Sequence, residues 1–116
     1  MKHFTEKELS CPCCGMFFMD GEFKIGIDNA RSLAGIPFII NSGFRCGKHN
    51  LEVGGSPTSS HLSGYAVDVR AETDHQKFLI IMGAIMAGIT RILIYRTFIH
   101  LDGHPDKKQE IITIME

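Results

Sequence analysis

Ser59-Ser60-His61-Leu62-Ser63-Gly64-Tyr65-Ala66-Val67-Asp68 sets a histidine and a carboxylate seven residues apart, with a glycine between them. On a single helix that gap would put both side chains on one face. Gly64 and the β-favouring Val67 and Val69 argue against a helix. The stretch is predicted instead as a loop carrying His61 that runs into a strand carrying Asp68. Gly64 lets the backbone bend so that both side chains reach one point. Imidazole nitrogen and carboxylate oxygen are both good zinc ligands, and a catalytic zinc takes three protein ligands and keeps one position open.

A third ligand must come from elsewhere. The chain has six histidines, His3, His49, His61, His75, His100 and His104. His100 stands inside the apolar run Phe98-Ile99-His100-Leu101-Asp102, where strand alternation puts Phe98, His100 and Asp102 on one face and Ile99 and Leu101 on the other. A lone histidine on a strand is more often a satisfied structural residue. With a His–Asp pair already short of one ligand, His100 is the natural third.

The elements around these runs follow from caps and periodicity. Thr5 and Glu8 form a capping box for a short helix that Pro12 and Gly15 end. Phe23, Ile27, Ala30 and Ala34 recur at helical spacing in a helix over Asp20 to Leu33, stopped by Gly35. Pro37 to Asn41 is predicted as a buried strand, and Gly43 to Ser60 as a loop with a helical turn at Gly47 to Glu52. Ala66 to Val69 is a strand. Thr73 or Asp74 caps a second long helix from about His75 to Ala87. Arg91–Tyr95 and Phe98–Leu101 form a hairpin, and Glu110–Met115 is a closing strand. Strands clustered late in the chain predict an α+β fold, a small antiparallel sheet of about four strands packed with two main helices.

With 116 residues, 44% of them apolar, the chain has room for one domain over 1–116 and one modest core. Twelve basic and 13 acidic side chains give a formal charge of -1, which excludes a broad electrostatic footprint for nucleic acid. The longest apolar stretch, Phe78 to Ile89, contains two glycines and is too short to span a bilayer as a helix. The opening Met1-Lys2-His3-Phe4-Thr5-Glu6-Lys7-Glu8 has no apolar leader, so synthesis in the cytoplasm without a secretory signal is expected. Stable disulfides are then not the default. Cys11, Cys13, Cys14 and Cys46 are open to three readings: a structural tetrathiolate zinc site in a three-plus-one arrangement, buried small apolar residues, or one pair that oxidises.

The block Ser59-x-His61-x-x-Gly64-x-Ala66-x-Asp68 resembles the first signature of the zinc D,D-peptidases. That family includes D-alanyl-D-alanine carboxypeptidases and phage L-alanyl-D-glutamate endopeptidases, and shares its fold with the hedgehog signalling domain. Asn41-Ser42-Gly43-Phe44-Arg45-Cys46-x-x-His49-Asn50 followed by Val53-Gly54-Gly55-Ser56 is similar to the segment before that signature, and Phe98-Ile99-His100-Leu101-Asp102 to the element after it. Phe4-Thr5-x-x-Glu8-Leu9-x-Cys11 resembles the opening of short, phage-like members. The resemblance covers nearly the whole chain. It implies a hedgehog/D,D-peptidase-like fold, zinc as cofactor held by His61, Asp68 and His100, and hydrolysis of amide bonds in peptidoglycan stem peptides by metal-activated water. It implies that Arg45 holds a substrate carbonyl or carboxylate near the metal, as a permanently charged, forked guanidinium can. Ser59 then supports the site through a hydrogen bond, and His49 and Asn50 brace the loop.

The chain departs from that family at the general base. Other members carry a Glu or His two to five residues before the last zinc-binding histidine; the positions here are Phe98, Thr97, Arg96 and Tyr95. Asp102 is left either to take the proton or to orient His100, with His104 as another acceptor, and a base not visible in the sequence or a weak enzyme as the remaining alternatives. Hedgehog domains show that the fold also serves binding, so a zinc-binding module without turnover is the second reading. A small structural or phage-particle protein with incidental histidines is the third. The expected partners are peptidoglycan peptides, with no nucleic acid and no membrane insertion; release to the cell wall would run through a phage lysis pore or a phage particle, and a cytoplasmic enzyme on small muropeptides fits equally. Carboxypeptidase and endopeptidase, and the oligomeric state, are not distinguished by these residues.

Overall fold

The computed structural model describes residues 1–115. Helix α1 (Glu6–Leu9) starts on a complete capping box: the Glu8 N–H donates to the Thr5 hydroxyl, and the Thr5 N–H donates to the Glu8 carboxylate. Helix α2 (Gly21–Ala34) starts at Asp20, whose carboxylate accepts the Phe23 N–H, and ends at Gly35 in the left-handed region. Strand β1 (Ile40–Ser42) and the short helix α3 (Gly47–Glu52) precede strand β2 (Ala66–Arg70). Helix α4 (Asp74–Met86) has a second capping box, Thr73 with Gln76. Strands β3 (Arg91–Ile94), β4 (Phe98–Asp102) and β5 (Ile111–Ile114) follow.

The fold is α+β, as the spacing predicts, but the sheet differs in two ways from a four-stranded antiparallel one. It has five strands in the order β1-β2-β4-β3-β5, and β5 pairs parallel to β3. The parallel pair needs no long crossover. Strand β4 ends with Asp102 opposite Arg91, the first residue of β3, so the Gly103–Glu110 loop begins at the end of the sheet where β3 starts. The chain then enters the other side of β3 with Ile111 opposite Arg91 and runs the same way. Strand β1 also comes later than Pro37–Asn41. Phe38 is buried but Ile39 is exposed, and regular pairing starts at Ile40, on an edge strand whose register with β2 is irregular.

Period-two alternation divides the sheet between two tasks. Val67, Val69, Ile92, Ile99 and Leu101 are fully buried and form one core with Ile27 and Ala30 of α2 and Ile80 and Ala84 of α4. The two helices lie close at Gly83, where a Cβ would stand 2.5 Å from the Ala30 carbonyl oxygen and 3.0 Å from the Ala34 Cβ. The opposite face of β2, β3 and β4 carries Asp68, Leu93, Phe98 and His100, which line an open cleft.

Candidate metal centre

The loop bearing His61 is held at both ends. Gly64 has φ +77°, and a Cβ there would stand 2.6 Å from the Phe18 carbonyl oxygen, so glycine is required both for the conformation and for the approach. Its own carbonyl accepts the Asp20 N–H at 3.0 Å, docking the loop on the start of α2. At the other end the Arg45 N–H donates to the His61 carbonyl at 3.1 Å. The His61 ring is 2% exposed, and its Nδ1 lies 2.7 Å from the Gly43 carbonyl oxygen. A carbonyl only accepts, so Nδ1 carries the proton and Nε2 presents a lone pair.

That lone pair faces Asp68. His61 Nε2 is 3.3 Å from Asp68 Oδ1, and His100 Nδ1 is 2.8 Å from the same oxygen. The β2–β4 register does this directly, because Asp68 sits opposite His100. One ligand atom from each of His61, Asp68 and His100 lies within 4.8 Å of the others. Two imidazoles and a carboxylate converging at that spacing, with an open cleft beside them, are a donor set that fits zinc. Burial pushes the Asp68 carboxyl up, but the His100 and His61 imidazoles that face it outweigh this and hold the group well below the usual carboxylate range. Burial pushes His100 down, and its bonds to Asp102 and Asp68 outweigh that and raise it.

Asp102 lies on the other side of the His100 ring. Its Oδ2 is 3.0 Å from His100 Nε2, its Oδ1 accepts the His104 N–H at 2.9 Å, and the residue is 1% exposed. Arg91 Nε stands 3.7 Å from Oδ2. Burial raises the Asp102 carboxyl, and these bonds, led by that to His100, hold it below its ordinary value. A carboxylate on the far ring nitrogen fixes the orientation of a metal-binding imidazole and raises its basicity.

Arg45 sits at the edge of this cluster. Its Nη2 is 3.6 Å from Asp68 Oδ2, its Nε donates to Ser42 Oγ at 3.0 Å, and its Nη1 donates to Asn50 Oδ1 at 3.3 Å. Asn50 is buried and donates in turn to the Ser56 carbonyl, so it ties the guanidinium to the Val53–Ser56 loop. The Ser59 hydroxyl accepts the His61 N–H at 3.2 Å. The cleft is about 450 Å³, and an adjoining recess of about 240 Å³ is lined by His49, Arg45 and Asp68. His104 does not line the cleft; its ring packs on Tyr65 with centroids 5.1 Å apart.

Ser60, Arg91, Leu93 and Lys107 also line the cleft and were given no role from the sequence. Arg91 carried a signal, a cation opening the apolar run Arg91-Ile92-Leu93-Ile94. Lys107 carried none, because it reaches the cleft through a bond from Nζ to the Thr58 carbonyl across 49 residues of sequence.

Residues 2–102 match the family model described as Peptidase M15. No curated protein matches the chain. Among the described residues no helix is long and apolar enough to cross a membrane.

Proposed function

The chain belongs to the peptidase M15 family, and on that footing we propose that it is a zinc peptidase that hydrolyses amide bonds in the stem peptides of bacterial peptidoglycan, within a single domain over 1–116. The observation that carries the reading is the convergence of His61, Asp68 and His100 within 4.8 Å beside an open cleft. Zinc bound there would lower the pKa of its water toward neutral and polarise the scissile carbonyl.

The chain's own residues prepare that chemistry. The Gly43 carbonyl keeps the proton of His61 on Nδ1 and frees Nε2 as a ligand. Asp102 holds the proton of His100 on Nε2 and turns Nδ1 toward Asp68. Of the two roles the sequence leaves to Asp102, the geometry favours orientation, since both oxygens are engaged and the group is buried behind the ring. Arg45 supplies a charged fork for a substrate carboxylate or carbonyl, and Ser59 steadies the loop under His61.

One observation favours a second reading, a zinc-binding module of the same fold without turnover. Apart from Asp68 and Asp102, no carboxylate lines the cleft or its recess among the described residues, and the one further imidazole is His49 in the recess. The test is metal content by mass spectrometry on the purified protein and on His100→Ala, followed by incubation of the zinc-loaded protein with muropeptides. One zinc at this site, lost in His100→Ala, and release of terminal D-alanine or scission between L-alanine and D-glutamate support a carboxypeptidase or an endopeptidase respectively. Muropeptide bound but not cut supports the module. No metal at this site after zinc reconstitution overturns both.

A further inference from the structure

Away from this cleft, the second group of metal-ligating side chains is Cys11, Cys13, Cys14 and Cys46, whose sulfurs all lie within 4.8 Å of one another. Three of them form a near-equilateral triangle. Cys11 Sγ and Cys13 Sγ are 3.5 Å apart, Cys11 and Cys46 are 3.6 Å apart, and Cys13 and Cys46 are 3.4 Å apart. A tetrahedral zinc with Zn–S bonds of about 2.3 Å has S···S edges of about 3.8 Å, so the triangle is close to one face of such a tetrahedron. Cys14 stands at the range of the fourth corner.

The backbone is built to hold this arrangement. The Gly15 N–H donates to the Cys11 carbonyl and the Cys11 N–H to the Met16 carbonyl, both at 2.8 Å, closing a tight loop. Gly15, at φ +75°, completes the turn, which brings Cys13 and Cys14 back beside Cys11. Two N–H groups point at sulfur: that of Cys46 at Cys11 Sγ, 3.5 Å away, and that of His49 at Cys46 Sγ, 3.4 Å away. Such donors stabilise thiolates.

The other two readings of the cysteines fare worse. Only Cys11 is buried, while Cys13 and Cys14 are exposed, so they do not serve as small core residues. A disulfide would use two sulfurs and leave unexplained why two more gather at the same point.

We propose that Cys11, Cys13, Cys14 and Cys46 bind a structural zinc ion as four thiolates, each thiol releasing its proton to solvent. This ion fastens the N-terminal segment to the loop that carries Arg45. The segment already meets that loop where the Phe44 N–H donates to the Leu9 carbonyl at 2.8 Å, and Cys46 follows Arg45 directly.

The test is zinc per chain in the full protein purified under reducing conditions, beside His100→Ala and Cys46→Ser, with X-ray absorption and cobalt substitution on the unmodified chain. Two zincs are expected in the unmodified chain and one in each variant. The absorption edge should report sulfur neighbours at about 2.3 Å, and cobalt should give intense thiolate-to-metal charge-transfer bands. The spectra do not depend on Cys46→Ser folding. Zinc with nitrogen and oxygen neighbours alone, with four freely titratable thiols or an intact mass showing a disulfide, overturns the proposal. Metal lost in Cys46→Ser but kept in His100→Ala would support the cysteine site while sinking the proposed peptidase centre; the reverse pattern would do the opposite.

Discussion

Replacing Asp102 by Asn separates the two roles that the sequence leaves to this residue. The carboxylate uses one oxygen on His100 Nε2 at 3.0 Å and the other on the His104 N–H at 2.9 Å. Asn offers one oxygen and one NH2 in nearly the same shape. Either the His100 ring or the His104 N–H therefore faces a donor instead of an acceptor. An orphaned buried donor costs about 1–3 kcal/mol of fold stability. Loss of the carboxylate behind a metal-binding imidazole weakens metal binding by about 10- to 100-fold, which is about 1.4–2.7 kcal/mol. The assay is zinc competition against a chromogenic chelator, paired with a thermal melt and with muropeptide turnover at saturating zinc. The expected result is a Kd raised by that factor and turnover largely recovered when zinc is in excess. Unchanged zinc affinity with turnover abolished would refute the orientation argument and make Asp102 the proton acceptor.

Arg45→Ala should lower kcat/KM on a muropeptide by about 10- to 100-fold, the scale of a lost charge-assisted hydrogen bond, while zinc bound at the His61 site stays unchanged; loss of that zinc would make Arg45 a prop of Asp68. Gly83→Ala gains about 1 kcal/mol of helix propensity but places a Cβ against the Ala30 carbonyl oxygen, which cannot rotate away. Overpacking of about 1–3 kcal/mol should win, lowering the melting temperature by several degrees; an equal or higher melting temperature would mean that α2 and α4 do not approach there. The Asp28 carboxylate accepts the N–H groups of Lys2 and His3 at 3.0 and 2.7 Å. Burial pushes that carboxyl up, and these bonds with the charge of His3 outweigh it and lower it. A carboxyl lowered in the folded state contributes stability that is present above its unfolded pKa of about 4 and fades as pH falls through the folded value. Asp28→Asn should therefore lose a small part of stability at neutral pH and none at the acid end, measured as melting temperature against pH; parallel curves would refute it.

What the sequence made legible was what local chemistry decides. Thr5 with Glu8, Gly35 and Thr73 mark helix ends because each satisfies backbone groups next to it, and they act so in the structure, where Asp20 and Gln76 add caps that the spacing alone left unread. His100 was legible because alternation in Phe98–Asp102 isolates it from Ile99 and Leu101. The convergence of His61, Asp68 and His100 was harder to read, since it rests on a register, Asp68 opposite His100, that no short window contains. The parallel edge strand β5 was not legible, because its direction follows from which end of the sheet the Gly103–Glu110 loop begins at. The gathering of Cys46 with Cys11, Cys13 and Cys14 spans 35 residues from Cys11 and depends on how the N-terminal segment docks.

Along β4 the neighbours Ile99 and Leu101 are fully buried while His100 faces Asp68, so adjacent positions answer to different physical demands. Point changes can drift separately on the two sides: a substitution at Phe98 can reshape the cleft with the helices untouched, and one at Ile99 can adjust melting with the ligand set intact. Insertions and deletions have no such freedom. One residue gained or lost inside β4 flips every side chain beyond it to the other side of the sheet. His100 or Asp102 would then be thrust into hydrocarbon and a leucine or isoleucine into the cleft. Diversification of this cleft by directed evolution is thus open to substitution along β2, β3 and β4 and closed to length variation inside them.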